Sequence, residues 1–209
     1  DLSGELIYDL GGYAPTSAAL STFTVSVDGF TSDNYDFSYV DGTLTVDKAV
    51  LTVTVNDFAV TYGTAVLDAQ AAASVSYSGF ANGETAAVLG GTLAYDLGLY
   101  APTSGALSTF TVSAEGLTSS NYDFNYIDGT LTVTKATLTV TANNYSVEYG
   151  TAIEDAKAAS PVASYSGFVN GENASVLGAS MFEIGLGTYS STAPAGSMHT
   201  ITLSGLTSD

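Results

Sequence analysis

Segments of this chain return almost unchanged after 87 residues. Tyr13-Ala14-Pro15-Thr16-Ser17 comes back as Tyr100-Ala101-Pro102-Thr103-Ser104, and Leu20–Ser26 as Leu107–Ser113. Val60-Thr61-Tyr62-Gly63-Thr64-Ala65 returns as Val147-Glu148-Tyr149-Gly150-Thr151-Ala152. The Ser-Gly-Phe-x-Asn-Gly-Glu runs at 78–84 and 166–172 lie 88 apart, so one residue is gained near Pro161. A period of this length is a small domain, since solenoid units run to about 20–50 residues. Cutting at the recurring Lys48-Ala49 and Lys135-Ala136 dipeptides gives three pieces. Residues 1–48 are the back part of a module, 49–135 a whole module, and 136–209 a module lacking its closing segment. Gly205–Asp209 match Gly29–Asp33, so both ends are expected to fall inside modules of a longer array.

The stretch Asn121–Asn143, with its earlier copy Asn34–Asn56, joins one module to the next. Asp128-Gly129 and Asp41-Gly42 predict hairpin turns between two alternating runs. Leu131 and Val133 mark a buried face at period two, and after Lys135-Ala136 the apolar set moves to Leu138, Val140 and Ala142. Leu44 and Val46 give way to Leu51, Val53 and Val55 in the same manner. A one-residue change of phase turns side chains to the opposite face. Strands are therefore expected to leave one core and enter the next, meeting at 135–137.

Within 49–135 the pattern predicts a first strand pair, 50–55 and 58–62, around Asn56-Asp57. A short helix follows over 64–74, capped by Thr64 and rich in alanine. Further strands are expected at 75–80, 92–97, 107–114, 122–127 and 130–134, with a turn at Asn82-Gly83. Phe110 and Val112 should face the core with Leu131 and Val133. Tyr62 and Tyr149 should anchor the helix, with Phe80 and Phe168 in the core beside it. The fold class is mostly β (α+β), largely antiparallel, with one short helix per module.

Charge narrows the function classes. The chain holds 21 Asp and Glu against three Lys and no Arg, a formal net charge of −18. Phosphate recognition needs a basic face, so nucleic acid is a poor partner, and an anionic membrane repels the chain. No apolar run reaches the roughly 18–20 residues needed to span a bilayer. Cysteine is absent, which excludes disulfides and thiolate metal sites.

The Tyr-Gly-Thr-Ala step, the Ser-Gly-Phe-x-Asn-Gly-Glu run and the terminal Asn-Tyr-Asp-Phe…Asp-Gly-Thr-Leu-Thr-Val-x-Lys-Ala together resemble the MBG domain of the YGX type. These are β-grasp-like repeats related to mucin-binding modules, carried in tandem by very large bacterial surface and secreted proteins. The resemblance covers essentially the whole chain; the third copy departs from it at Phe182-Glu183-Ile184 and Met198-His199. It implies tandem β-grasp-like modules at the bacterial cell surface or outside the cell. It transfers no binding site.

Residues able to carry chemistry are few. Asn82-Gly83-Glu84 and Asn170-Gly171-Glu172 can present carboxylates, or simply make tight turns. Asp28, Asp33, Asp36 and Asp41, with counterparts Glu115, Asp123 and Asp128, offer oxygens to Ca²⁺ but form no calcium loop. Lys48 and Lys135 suit an ion pair, a place beside sheet-edge carbonyls, or an isopeptide bond. His199, the only histidine, stands where Phe23 and Phe110 do. It has neither a Cys nor a nucleophile elbow to form a triad with, so no catalytic site and no cofactor is expected. Asn144-Tyr145-Ser146 and Asn173-Ala174-Ser175 fit the glycosylation pattern by coincidence. Tyr13, Tyr100 and Tyr189 can stack on sugar rings or pack over the core edge. Asn34, Tyr35, Asp36, Phe37, Leu44 and Val46 belong to a hairpin able to complete the open module of another copy, head to tail. Two functions follow: a structural repeat of an extracellular stalk, adhesin or fibre, or an adhesin module that binds mucin-like glycan.

Overall fold

The alternating stretches become strands in the computed structural model, which describes residues 1–160, 163–177 and 183–205. The chain forms two units: 1–60, 66–100 and 108–132 make the first, and 61–65, 101–107 and 133–209 the second.

The first unit opens with β1 (Leu2–Asp9), β2 (Thr22–Ser32) and β3 (Gly42–Thr45), an antiparallel sheet in that order. Then come β4 (Ala49–Val55), β5 (Phe58–Thr61), α1 (Val66–Ala72), β6 (Val75–Ser78), β7 (Gly90–Asp96), β8 (Thr109–Thr118), β9 (Tyr122–Ile127) and β10 (Gly129–Thr134). They build two sheets, ordered β6-β4-β9 and β5-β10-β8-β7. β4 is central in the smaller one, antiparallel to β6 and parallel to β9. The architecture is mostly β and β-grasp-like, as expected.

β4 shows how the pattern sets the core. Leu51, Val53 and Val55 are buried while the intervening threonines face the other way. Burying such a side chain stabilises by about 1.5–3 kcal/mol. Leu131 is fully buried and lies opposite Phe110 in the β10–β8 pair, the facing expected for both. α1 turns Ala69 inward, fully buried, and Gln70 Nε2 donates to the Tyr95 carbonyl at 3.0 Å. Phe80 is half-buried, its ring 5.7 Å from those of Tyr77 and Tyr122, so it belongs to an aromatic cluster at the core margin.

Three local expectations are corrected. Neither Asp128-Gly129 nor Asn56-Asp57 turns a hairpin, because the chain crosses between sheets at both places. β9 pairs with β4 and β10 with β8, while β5 pairs with β10. Gly129 has no positive φ; a Cβ there would meet the Val55 carbonyl oxygen at 2.5 Å, so close approach is what calls for glycine. Asn34–Val46 is likewise no hairpin: β3 pairs with β2, and residues 35–41 lie in no strand. The reason is partnership, since β9 exists as the parallel neighbour of β4 and no described strand stands beside 35–41. The Thr64 hydroxyl donates to the Thr61 carbonyl at 2.7 Å, closing the turn at Tyr62-Gly63. Its counterpart Thr151 bonds the Glu148 carbonyl at 2.8 Å, and the second helix is capped by Ala152, which has no side-chain oxygen.

The second unit contains β11 (Thr139–Thr141), α2 (Ile153–Ala158), β12 (Ser164–Ser166), β13 (Glu183–Gly185) and β14 (Thr202–Ser204). Among the described residues β11 pairs with β12 alone and β13 with β14 alone, both antiparallel. Two-stranded pairs are marginal on their own, which accounts for their shortness beside β4 and β8. Strands therefore do not meet at 135–137: β10 ends at Thr134, β11 starts at Thr139, and Lys135 and Ala136 lie in neither. The expected change of facing is present, with Leu131 and Val133 buried and Leu138, Val140 and Ala142 half-buried. At the earlier junction Ala49 is already in β4, because its N–H donates to the Asn121 carbonyl at 3.0 Å. Phe168 is half-buried against Tyr165; Phe182 lies outside the described residues. Tyr149 is 71% exposed, against the expectation that it anchors the helix to the sheet.

Candidate functional site at the repeat junctions

The two Asn-Gly-Glu turns share one backbone geometry. Asn82 and Gly83 have φ of 53° and 73°, and Asn170 and Gly171 have 54° and 74°. Asn tolerates this left-handed region better than most residues. Glu84 N donates to the Ala81 carbonyl and Glu172 N to the Val169 carbonyl, both at 2.9 Å. The turn aims the Asn side chain outward. In the first unit Asn82 Nδ2 donates to the Pro15 carbonyl at 3.1 Å, and in the second Asn170 Nδ2 donates to the Pro102 carbonyl at 3.0 Å. Each turn thus holds the Tyr-Ala-Pro-Thr-Ser loop of the preceding copy.

That loop is braced to receive it. Ser17 N donates to the Ala14 carbonyl and Ser104 N to the Ala101 carbonyl at 2.8 Å, while the same serine hydroxyls accept from Ala14 N and Ala101 N at 3.0 Å. Gly63 N adds a second donor to the Pro102 carbonyl at 3.1 Å. Gly63 also carries the neighbouring Val169, whose side chain would lie 2.7 Å from a Cβ there.

The glutamate of the turn gathers tyrosine hydroxyls. Tyr122 donates to Glu84 Oε2 and accepts from Ala81 N at 2.9 Å. Tyr62 donates to Glu172 Oε1. Tyr122 belongs to the same copy as Glu84, whereas Tyr62 belongs to the copy before Glu172. The bond to Glu84, followed by burial, raises the Tyr122 pKa above its usual 10.0, against a smaller lowering by the Ala81 N–H. A raised folded-state value means this stabilisation is whole below pH 10 and is lost as pH rises through the folded pKa. Tyr122→Phe is therefore expected to unfold more easily than the parent at pH 8, with the gap closing above pH 10 in urea titrations. A gap unchanged at pH 11 would contradict the bond.

The junction lysines lie where the copies meet. Lys48 Nζ stands 3.4 Å from Asp123 Oδ1 and donates to the Ser119 carbonyl at 3.3 Å. Asp123 is well exposed, so the pair is worth about 0–1 kcal/mol. Asn121 Oδ1 accepts from Ala19 N at 3.2 Å beside it. Lys135 is exposed and Ala136 half-buried.

The three tyrosines considered for ligand contact stand edge-on to the ring at one position of the repeat. Tyr13 meets Phe23, Tyr100 meets Phe110 and Tyr189 meets His199, with centroids 5.8, 5.6 and 5.5 Å apart. Tyr100 is 6% exposed and Tyr13 40%. Tyr189 is half-buried and donates to the Thr151 carbonyl at 2.8 Å. His199 Nε2 is 2.9 Å from Ser197 Oγ. Asp28 accepts from Gly29 N at 2.7 Å, and among the described residues no three His, Cys, Asp or Glu gather as for a metal. In Asn34–Val46, Tyr35 is exposed, the Phe37 ring lies between those of Phe30 and Tyr39, Leu44 sits opposite Phe23, and Val46 N donates to the Ser21 carbonyl at 3.0 Å.

A cleft of ≈ 470 Å³ opens in the second unit, lined by Val147, Tyr149, Leu186, Tyr189 and Ile201 among others. The counterparts of Val147, Leu186, Tyr189 and Ile201, which are Val60, Leu97, Tyr100 and Val112, are buried, and Tyr62, the counterpart of Tyr149, is half-buried.

A family model described as MBG domain (YGX type) matches residues 51–132 and 138–209. The chain belongs to the MBG domain family of the YGX type. No curated protein and no solved structure matched the chain. MBG domains are repeat or binding modules, found in surface-associated proteins, and are not catalytic. No helix among the described residues is long and apolar enough to cross a membrane. In this MBG chain the Asn-Gly-Glu turns of the family motif hydrogen-bond the Tyr-Ala-Pro-Thr-Ser loop of the copy before. Sequence reasoning found the Asn-Gly-Glu turns but missed their partners, the Pro15 and Pro102 carbonyls and the Tyr62 hydroxyl. The available signal was that turn and loop recur together at nearly one spacing.

Proposed function

We propose that this chain is a structural segment of a long bacterial extracellular stalk, adhesin or fibre, spacing along the cell exterior without catalysis. The modules are 49–135 and 136–209, preceded by the back part of another at 1–48. One observation carries the reading: Asn82 and Asn170 hold the Pro15 and Pro102 carbonyls of the preceding copy in the same way. A spacer needs one repeatable bond between successive modules, and a ligand site does not. The sparse basic charge supports it too, because uniform negative charge discourages sideways association. The partners are neighbouring repeats. Head-to-tail addition of other copies through Asn34–Val46 would place the two halves of that segment in two sheets, as β9 and β10 are placed. Protease treatment of intact cells making the full-length product should release peptides from these repeats; repeats that survive until lysis would overturn the reading.

The exposure of Tyr13 favours a second reading, in which its ring stacks on a glycan. A glycan array probed with the chain should then give a signal that Tyr13→Ala removes. The spacer reading expects no signal above background.

A further inference from the structure

The second unit contains the same receptor twice, once filled and once open. At the filled one, Tyr62 bonds Glu172, Gly63 carries Val169, and the Pro102 carbonyl accepts from Asn170. The open one is built from Tyr149, Gly150 and the carbonyl of Ser191, the residue in the place of Pro102. Its backbone has the same form. Gly63 and Gly150 have φ of 93° and 90°. Thr64 N and Thr151 N close their turns on the Thr61 and Glu148 carbonyls at 3.0 and 3.2 Å. Tyr100 N and Tyr189 N bond Leu97 and Leu186 at 3.3 and 3.1 Å, and the next turn closes at 2.8 Å on Ala101 and 2.9 Å on Ser190. Beside sequence exchanges that include Pro102 and Ser104 for Ser191 and Ala193, the occupant differs. A Cβ on Gly63 would meet Val169, whereas one on Gly150 meets no described residue within 4 Å, and Tyr149 is 71% exposed.

Resting on the spacer reading, we infer that Tyr149, Gly150 and the Ser191 carbonyl form a docking surface for the Asn-Gly-Glu turn of a further repeat of this type. The glutamate is the coupling group. Glu84 takes the tyrosine of its own copy, Glu172 takes the tyrosine of the copy before, and a carboxylate has two oxygens with which to accept both. In an incoming turn one carboxylate serves both, with Tyr149 on one oxygen and the incoming repeat's own tyrosine on the other. The Asn reaches the Ser191 carbonyl, and the residue before it covers Gly150.

The test compares tyrosine nitration, read by peptide mass spectrometry, in three chains. One is the 209-residue chain. The second is extended at its C-terminus by a copy of residues 121–135, which closes the module without supplying a turn. The third is extended by a copy of residues 121–209. Tyr149 should nitrate freely in the first two and at least ten-fold more slowly in the third, with Tyr62 slow in all three. Glu172→Gln, made only in the appended copy, should restore Tyr149 reactivity and leave Tyr62 slow. Tyr149 equally reactive in all three chains overturns the inference. So does protection by the short extension alone, protection that survives the Gln substitution, or a Tyr62 as reactive as Tyr149. None of these results bears on protease release from cells, so the docking and spacer readings fail separately.

Discussion

Leu131→Ala is expected to cost about 2–5 kcal/mol of unfolding free energy. Leu131 is wholly buried, opposite Phe110 in the β10–β8 pair, and β10 runs between β5 and β8. Removing its side chain leaves a void walled by strands on both sides, where neighbouring backbone cannot collapse without breaking ladder bonds. Domain stabilities are only about 5–15 kcal/mol, so the shift in a urea transition followed by circular dichroism should be large. Leu44→Ala is the internal comparison. Leu44 is the same residue in the earlier copy, but it is half-buried in the edge strand β3 and should cost less than half as much. Equal losses at the two sites would show that the central position of β10 adds nothing.

Gly116→Ala should be about as damaging, for a different reason. Gly116 has φ of 95°, and a Cβ there would fall on the Thr92 carbonyl oxygen; Gly91, with φ of 81°, would strike the Gly116 carbonyl. The two glycines interlock where the β7–β8 register shifts between Gly91 and Ala94. Gly4 and Gly29 do the same where β1 pairs with β2. Backbone strain of about 1–2 kcal/mol and an overpacking term of about 1–3 kcal/mol give a total of about 2–5 kcal/mol. Gly83→Ala separates the terms. Gly83 also has positive φ, at 73°, but nothing lies within 4 Å of its Cβ position, so only the strain remains. If both variants unfolded at the same urea concentration, the interlocked bulge would be absent.

By itself the sequence determined which residues are inside. Alternation at period two is a local property, and burial follows it at Leu51, Val53, Val55, Leu131 and Val133 and through the change of facing past Lys135. Helix positions and the Asn-Gly turns were equally legible, because alanine content and left-handed conformers act within a few residues. The repeat itself announced the family. Which strand lies beside which was not written locally. Asp128-Gly129 has the residues of a hairpin turn, yet β9 leaves for β4 across the parallel pair and β10 for β8. The β4–β9 pairing joins residues more than 70 apart, and only the folded core decides it, by covering the apolar face of each strand. The junction was hidden for the same reason. Asn170, Glu172, Tyr62 and Pro102 each look like ordinary turn residues, and only tertiary structure brings turn, hydroxyl and carbonyl to one place.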